Sequence, residues 1–393
     1  MKRLALAVLA LLSAAPLAAA PRPPLQNALR TDLTTYLAAR GSIEHISAAS
    51  VSVSFTANAP NVDVAAGTTT YKGRVPVTPQ NLFQIGSNTK AFTSVMLLQL
   101  EAQRKLTIEQ KLGTLLPQYS AWKNINIRQL LNMTSGIPTY DDVDAVMARY
   151  AKNPTTSLSA KSLIGSVYPK TSFTPGAKWM YSNTDYLLGQ TIVEKMTGNT
   201  YAQEFSSRFI NGGPKLTDTY YQANLYPPSL TQRMVAGYFY SHDPGNKVLA
   251  PLLGRDQRNL SMSWAQGAGG AVATPHALTQ WVRALYSGPM LGDHQRRELM
   301  TIVSNKTGQP IVSTSAKDPM GFGLGVGQLM KPGLGKIWYY EGETLGYRML
   351  YAYFVNNGVI VALGLNSQPD GKQDHIGQLL TSIAATLRAY GKM

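Results

Sequence analysis

The chain has 393 residues, 44% hydrophobic and 15% charged, enough for a packed core in one large domain. Lys and Arg number 36 against 21 Asp and Glu, a net charge of +15 that favours anionic surroundings, yet no dense basic run, zinc spacing or RNA-binding aromatic motif points to nucleic acid. The count of zero Cys excludes a disulfide framework, thiolate metal sites and a cysteine-linked lipid anchor.

Met1-Lys2-Arg3 is followed by an apolar run over 4–12 and small residues over 14–20. This pattern predicts a secretory signal peptide at 1–20, too short to span a membrane. No other stretch approaches transmembrane length, so the mature part, 21–393, is expected to be periplasmic or secreted with no span after signal removal. Residues 25–39 predict a helix ending before Gly41. Residues 50–55 alternate Val51, Val53 and Phe55 with Ser50, Ser52 and Ser54, a strand of period two, and 62–71 is its expected partner.

Next comes Phe83-Gln84-Ile85-Gly86-Ser87-Asn88-Thr89-Lys90, with an apolar segment of helical length behind it. Ser87 falls at or just inside a helix start, and Lys90 lies one turn on, on the same face. A serine hydroxyl is a poor nucleophile until a neighbour takes its proton, and a lysine amine at this spacing is in reach. By itself the pattern reads equally as an N-cap serine beside a solvated lysine. A second copy, Ser120-Ala121-Trp122-Lys123, lacks the helix-start context.

A short helix is expected over 125–132, closed by the turn Ser135-Gly136-Ile137-Pro138. The signals to about residue 300 are mainly helical and loop-like. Within them Tyr181-Ser182-Asn183 precedes an apolar helix running to Met196. Tyr181 is a candidate acid/base if nearby cations, Lys90 and Lys178, lower its pKa. Asn183 is placed to orient a lysine and a substrate amide. Taken alone, the pair also reads as a buried tyrosine and a capping asparagine. Near the chain end, 336–340, 348–355 and 359–365 predict strands, with Asn356-Asn357-Gly358 as a tight hairpin turn. Residues 376–387 form an amphipathic C-terminal helix.

In this order the pieces resemble the serine β-lactamase and penicillin-binding-protein superfamily. The resemblance is to its class C branch, which includes D-alanyl-D-alanine carboxypeptidases, D-aminopeptidases and esterases. Ser87-Asn88-Thr89-Lys90 matches the S-x-x-K motif and Tyr181-Ser182-Asn183 the Tyr-x-Asn motif. Leu130 to Gly136 looks like the Leu-Leu-x-His-Thr-Ser-Gly loop, with Met133 for histidine. Gly269-Gly270-Ala271-Val272-Ala273-Thr274 looks like its Gly-Gly-x-x-Ser-Thr segment before a helix. The third motif, Lys-Thr-Gly or His-x-Gly, falls on Tyr340-Glu341-Gly342, which precede a glycine-rich turn and hairpin. The literal Lys306-Thr307-Gly308 sits in a polar run without these features. Tyrosine donates a hydrogen bond but carries no charge at neutral pH; Arg348 is close in sequence and reads equally as a holder of a substrate carboxylate or as an outward arginine on an edge of the hairpin.

The resemblance implies an α+β fold: an antiparallel sheet flanked by helices, contributed by about 25–105 and 300–393, with a mostly helical region, about 106–299, inserted. It implies an acyl-serine hydrolase. Ser87 attacks, Lys90 and Tyr181 move protons, and Asn183, Tyr340, Gly342 and Arg348 bind or orient substrate. Backbone N–H groups of Ser87 and Glu343 form the oxyanion hole. No metal or organic cofactor is implied. The expected substrate is a small molecule or peptidoglycan-type peptide; the basic charge reads either as a surface for anionic cell-wall polymer or membrane or as a generally basic solvated surface. A D-alanyl-D-alanine carboxypeptidase or D-aminopeptidase that can bind β-lactams leads. An esterase or class C-like β-lactamase, and then a non-catalytic cell-wall binding module, are the alternatives.

Overall fold

The computed structural model describes residues 23–393. The expected signal peptide at 1–20 lies outside the described residues. Nine strands form one sheet whose members pair antiparallel throughout. Ala48–Ser54 sits between Val62–Gly67 and Val359–Leu365, so the two ends of the chain meet inside the sheet. Arg348–Phe354 and Gly335–Glu343 follow outward, then Gly327–Lys331, Met320–Phe322, Ile302–Ser304 and the edge strand Pro310–Ile311.

Both faces of the central strands are covered, and the alternation shows which residue serves which face. In Val359–Leu365, Ile360 and Ala362 enter one core, while Val359, Val361, Leu363 and Leu365 enter another. The second core, the back of the sheet, is closed by two helices, Leu25–Arg40 and Ile376–Ala389. Leu29, Leu33, Leu379, Leu380, Ile383 and Leu387 are their buried residues at helical spacing.

The front core holds the buried helix Thr89–Ala102, the helix Pro275–Ser287 and the segments between them. The segment Ala271-Val272-Ala273-Thr274, read from sequence as leading into a helix, is a strand followed by a cap. The Thr274 side chain accepts from Ala277 N–H at the start of Pro275–Ser287. Ala271–Ala273 also pairs with Phe83–Gln84, the strand that leads into Ser87. The expected helix over 125–132 spans Ile127–Leu131 and begins with a capping box between Asn126 and Gln129.

Candidate active site

Ser87 lies in a single 3-10 turn, Gly86–Asn88, that runs directly into Thr89–Ala102. Two glycines set this turn against the strand Gly335–Glu343. Gly86 has φ +51, and a Cβ there would meet the Glu343 backbone at 2.5 Å. A Cβ on Gly342 would sit 2.0 Å from the Ile85 carbonyl oxygen. Close backbone approach therefore requires glycine at both positions, and it brings the Ser87 turn beside Gly342 and Glu343.

The Lys90 side chain is fully buried behind Ser87. Its Nζ reaches Ser87 Oγ at 2.9 Å, Asn183 Oδ1 at 2.6 Å and the Ala268 carbonyl at 2.8 Å. Burial lowers the Lys90 pKa to about 7, and Asp141 opposes that shift. The Ser87 and Tyr181 hydroxyls share a hydrogen bond of 2.5 Å. Ser87, Lys90, Tyr181 and Asn183 are thus brought together from separate segments.

The Tyr181 titration runs opposite to the expectation from sequence. Burial pushes its pKa well above the ordinary tyrosine value, and Asp141 adds to the rise. Lys178 is exposed. Tyr181 is therefore a neutral hydroxyl at neutral pH, and Lys90 is the group that titrates there.

Asn183 opens the helix Asn183–Thr197. Its amide is oriented by Asp141, which accepts from Nδ2 at 2.8 Å, leaving Oδ1 for Lys90. Thr139 Oγ1 accepts from the Asn183 N–H at 3.0 Å and itself donates to Asp141. The 130–136 loop anchors the same helix: Ser135 Oγ donates to the buried Asp185 carboxylate at 2.7 Å. Asp141 and the Ala268 carbonyl were missed in the sequence. Asp141 follows the Ser-Gly-x-Pro turn as one of two adjacent acids, which is a weak signal, and a backbone carbonyl carries none.

Tyr340 is buried against the Phe322 ring at 5.7 Å, and its hydroxyl interacts with that of Tyr181. The Lys306-Thr307-Gly308 triplet instead forms the turn between Ile302–Ser304 and Pro310–Ile311 at the sheet edge, with Lys306 exposed. Ser120 is exposed and has the Tyr168 hydroxyl at 3.3 Å as its side-chain partner.

Arg348 corrects the sequence reading. It lies in register with Leu350, Ala352 and Phe354, which face the back core. Its guanidinium is fully buried, 2.8 Å from Glu44 and paired with Asp374. Those bonds occupy it, so it is not available to a substrate carboxylate.

Ser87, Tyr181 and Asn183 open onto a cleft of about 410 Å³. A larger cavity of about 950 Å³, lined by Tyr119, Lys161, Gln190 and Thr200, contains none of these residues. The smaller cleft is the candidate active site because the Ser87–Lys90–Tyr181 cluster opens onto it.

The family model described as Beta-lactamase matches residues 40–385. The chain belongs to this beta-lactamase family. Its serine-hydrolase relatives include Penicillin-binding protein 4* of Bacillus subtilis, 25% identical over 301 residues, which are 75% of this chain and 63% of the relative. The aligned part thus spans under two thirds of that relative's length. Among solved structures, a D-stereospecific amidohydrolase from Streptomyces sp. superposes with TM-score 0.72 at 24% identity, covering 87% of this chain and 94% of the other. D-amino acid amidase from Ochrobactrum anthropi gives 0.76 at 20% identity, covering 94% and 99%. D-alanine carboxypeptidase AmpC from Burkholderia cenocepacia gives 0.67 at 17%, covering 92% and 99%. These likenesses bear on the fold: an antiparallel sheet with helices, as in this beta-lactamase family member.

Proposed function

We propose that this beta-lactamase family member is an exported peptidase or amidase that forms an acyl-serine intermediate on D-amino-acid amide bonds of the peptidoglycan type. The observation that carries the reading is the buried Lys90, with a pKa near 7, within 2.9 Å of Ser87 Oγ. A neutral amine has two protons and one lone pair. With the protons donated to Asn183 and Ala268, the lone pair faces the Ser87 hydroxyl.

Ser87 Oγ then attacks the carbonyl carbon while its proton passes to Lys90, directly or through Tyr181. The oxyanion is held by the backbone N–H groups of Ser87 and Glu343. Collapse breaks the C–N bond, and the departing amine takes the proton back from the same pair. Water, deprotonated by that pair, attacks the acyl-serine, and Ser87 recovers its proton as the acid leaves. The relatives' names, D-amino acid amidase and D-alanine carboxypeptidase, support the D-peptide choice. The basic leader supports export to the periplasm or beyond, and the charge of +15 supports association with anionic cell wall.

One observation favours an esterase as the second reading. Among the described residues lining the cleft there is no Lys, Arg or His to anchor a carboxylate, and an ester needs no such anchor. Intact mass and turnover with a fluorescent penicillin, a D-Ala-D-Ala peptide and a p-nitrophenyl ester separate the readings. Label mapped to Ser87 and lost in Ser87→Ala is the expected result, and label on Ser120 would refute the assignment of the nucleophile.

A further inference from the structure

The cleft is acidic on a protein that is strongly basic. Four carboxylates line it, Asp141, Asp142, Glu341 and Glu343, and no cationic side chain among the described residues does. Asp141 is engaged by Asn183 and Thr139. Near Arg348, carboxylate oxygens of Glu341, Glu343 and Asp374 lie within 4.8 Å of one another. Asp374 is neutralised by Arg348, which also pairs with Glu44, and Arg40 shares Glu44. Two arginines thus meet four acids, with His375 3.9 Å from Glu44, and the excess falls on Glu341 and Glu343.

Glu341 is the more telling of the two. Its Oε2 accepts from Tyr339 at 2.6 Å. Its Oε1 is buried with no hydrogen-bond partner. The residue also borders a second, largely apolar pocket of about 290 Å³, lined by Trp179, Met320, Phe322 and Leu329. Tyr181 is common to both spaces. A buried acceptor without a donor is costly, and an ammonium group would satisfy it.

We propose that Glu341, with Glu343 beside it, selects substrates carrying a cationic amine near the scissile carbonyl and rejects those carrying a carboxylate there. The adjoining apolar pocket takes the side chain of the same residue. This deepens the acyl-serine reading and rests on it, placing the protein on the aminopeptidase or amidase side of the peptidases. Burial and the neighbouring Asp374 and Glu343 carboxylates raise the Glu341 pKa to about 8 while its cation is absent, and a bound ammonium lowers it again and holds the carboxylate ionised.

The test separates binding from catalysis. Ser87→Ala protein is titrated calorimetrically with D-phenylalaninamide and its N-acetyl and N-succinyl derivatives. The buffer is at about pH 7, where an α-amino group is mostly protonated, and contains EDTA. The free amine should bind at least about tenfold tighter than the acetyl compound, with the succinyl compound weakest. Adding Glu341→Gln, or Glu343→Gln if the first fails to fold, should narrow the amine–acetyl gap below about threefold. Equal or tighter binding of the succinyl compound overturns the proposal, as does selectivity untouched by both glutamine changes. So does calcium binding to the same carboxylates, titrated separately without EDTA, with no preference for amines. Fluorophosphonate labelling of wild-type Ser87 is scored separately, so loss of the hydrolase reading and loss of this selectivity give different results.

Discussion

Burial lowers the Lys90 pKa to about 7, and in the proposed mechanism its neutral form is the base. We therefore expect kcat/KM to rise with pH through about 7 and level off above it, and a profile flat from about pH 5 to 9 would remove Lys90 as the base. The same shift acts on stability with a defined sign. An unfolded lysine titrates near 10.4, so between about 7 and 10 the unfolded chain binds more protons. This group's contribution therefore makes the fold more stable as pH rises across that window, and its burial costs most below 7. Tyr181→Phe keeps the ring and removes the hydroxyl that lies 2.5 Å from Ser87 Oγ. A loss of at least about 100-fold in kcat/KM is expected, with little change in the thermal melt. Near-normal turnover in the folded variant would make Tyr181 a structural residue. The spacing of Ser87 and Lys90 was legible because both lie on one helical turn. The direction of the Tyr181 shift was not, because it depends on burial by distant segments. Arg348 was misread for the same reason: its acidic partner Glu44 is remote in sequence.

At the scale of elements, the choice between two candidate third motifs turns on local backbone pattern. A literal Lys-Thr-Gly at 306–308 is outweighed by Tyr340-Glu341-Gly342, because only the latter leads through a glycine-rich turn into paired strands. The structure runs Tyr340 and Gly342 along the Ser87 turn and leaves Lys306 exposed in an edge turn. Lys306→Ala should change kcat/KM by less than about twofold, the usual effect of a surface change away from a site. Tyr340→Phe, which keeps the packing on Phe322, should shift the balance among amide, ester and penicillin substrates. Steady-state kinetics on the three substrates checks both, and the reverse pattern would move the site strand to Lys306. The hairpin was readable from Asn356-Asn357-Gly358, where Gly358 has φ +74. The small sheet of Phe83–Gln84, Ala271–Ala273 and Thr219–Tyr221 was not, since strands of two or three residues show no periodicity. That sheet matters here, because it joins the segment before Ser87 to the one after Ala268.

Across the whole molecule, the nine-stranded sheet divides the work. Its front core surrounds Ser87, Lys90 and Tyr181, drawn from distant parts of the chain, while its back core is closed by the first and last helices. Sequence patterns indicated strands near both chain ends, a helix at 25–39 and an amphipathic helix at 376–387. They could not show that Ala48–Ser54 pairs with Val359–Leu365, because register between remote strands is set by the assembled core. The two-faced arrangement predicts that stability and turnover separate by face. Ile383 is fully buried in the back core, between the terminal helices and the sheet. Ile383→Ala removes buried methyl groups and leaves a cavity, so unfolding free energy should fall by about 2–5 kcal/mol. The Lys90 side chain lies on the other side of the sheet, so kcat per Ser87 labelled by a fluorophosphonate should stay within about twofold of wild type. Urea unfolding gives the first quantity, and burst titration with a p-nitrophenyl ester gives the second. A folded Ile383→Ala protein whose kcat per titrated site drops tenfold would mean that packing behind the sheet sets the geometry in front of it.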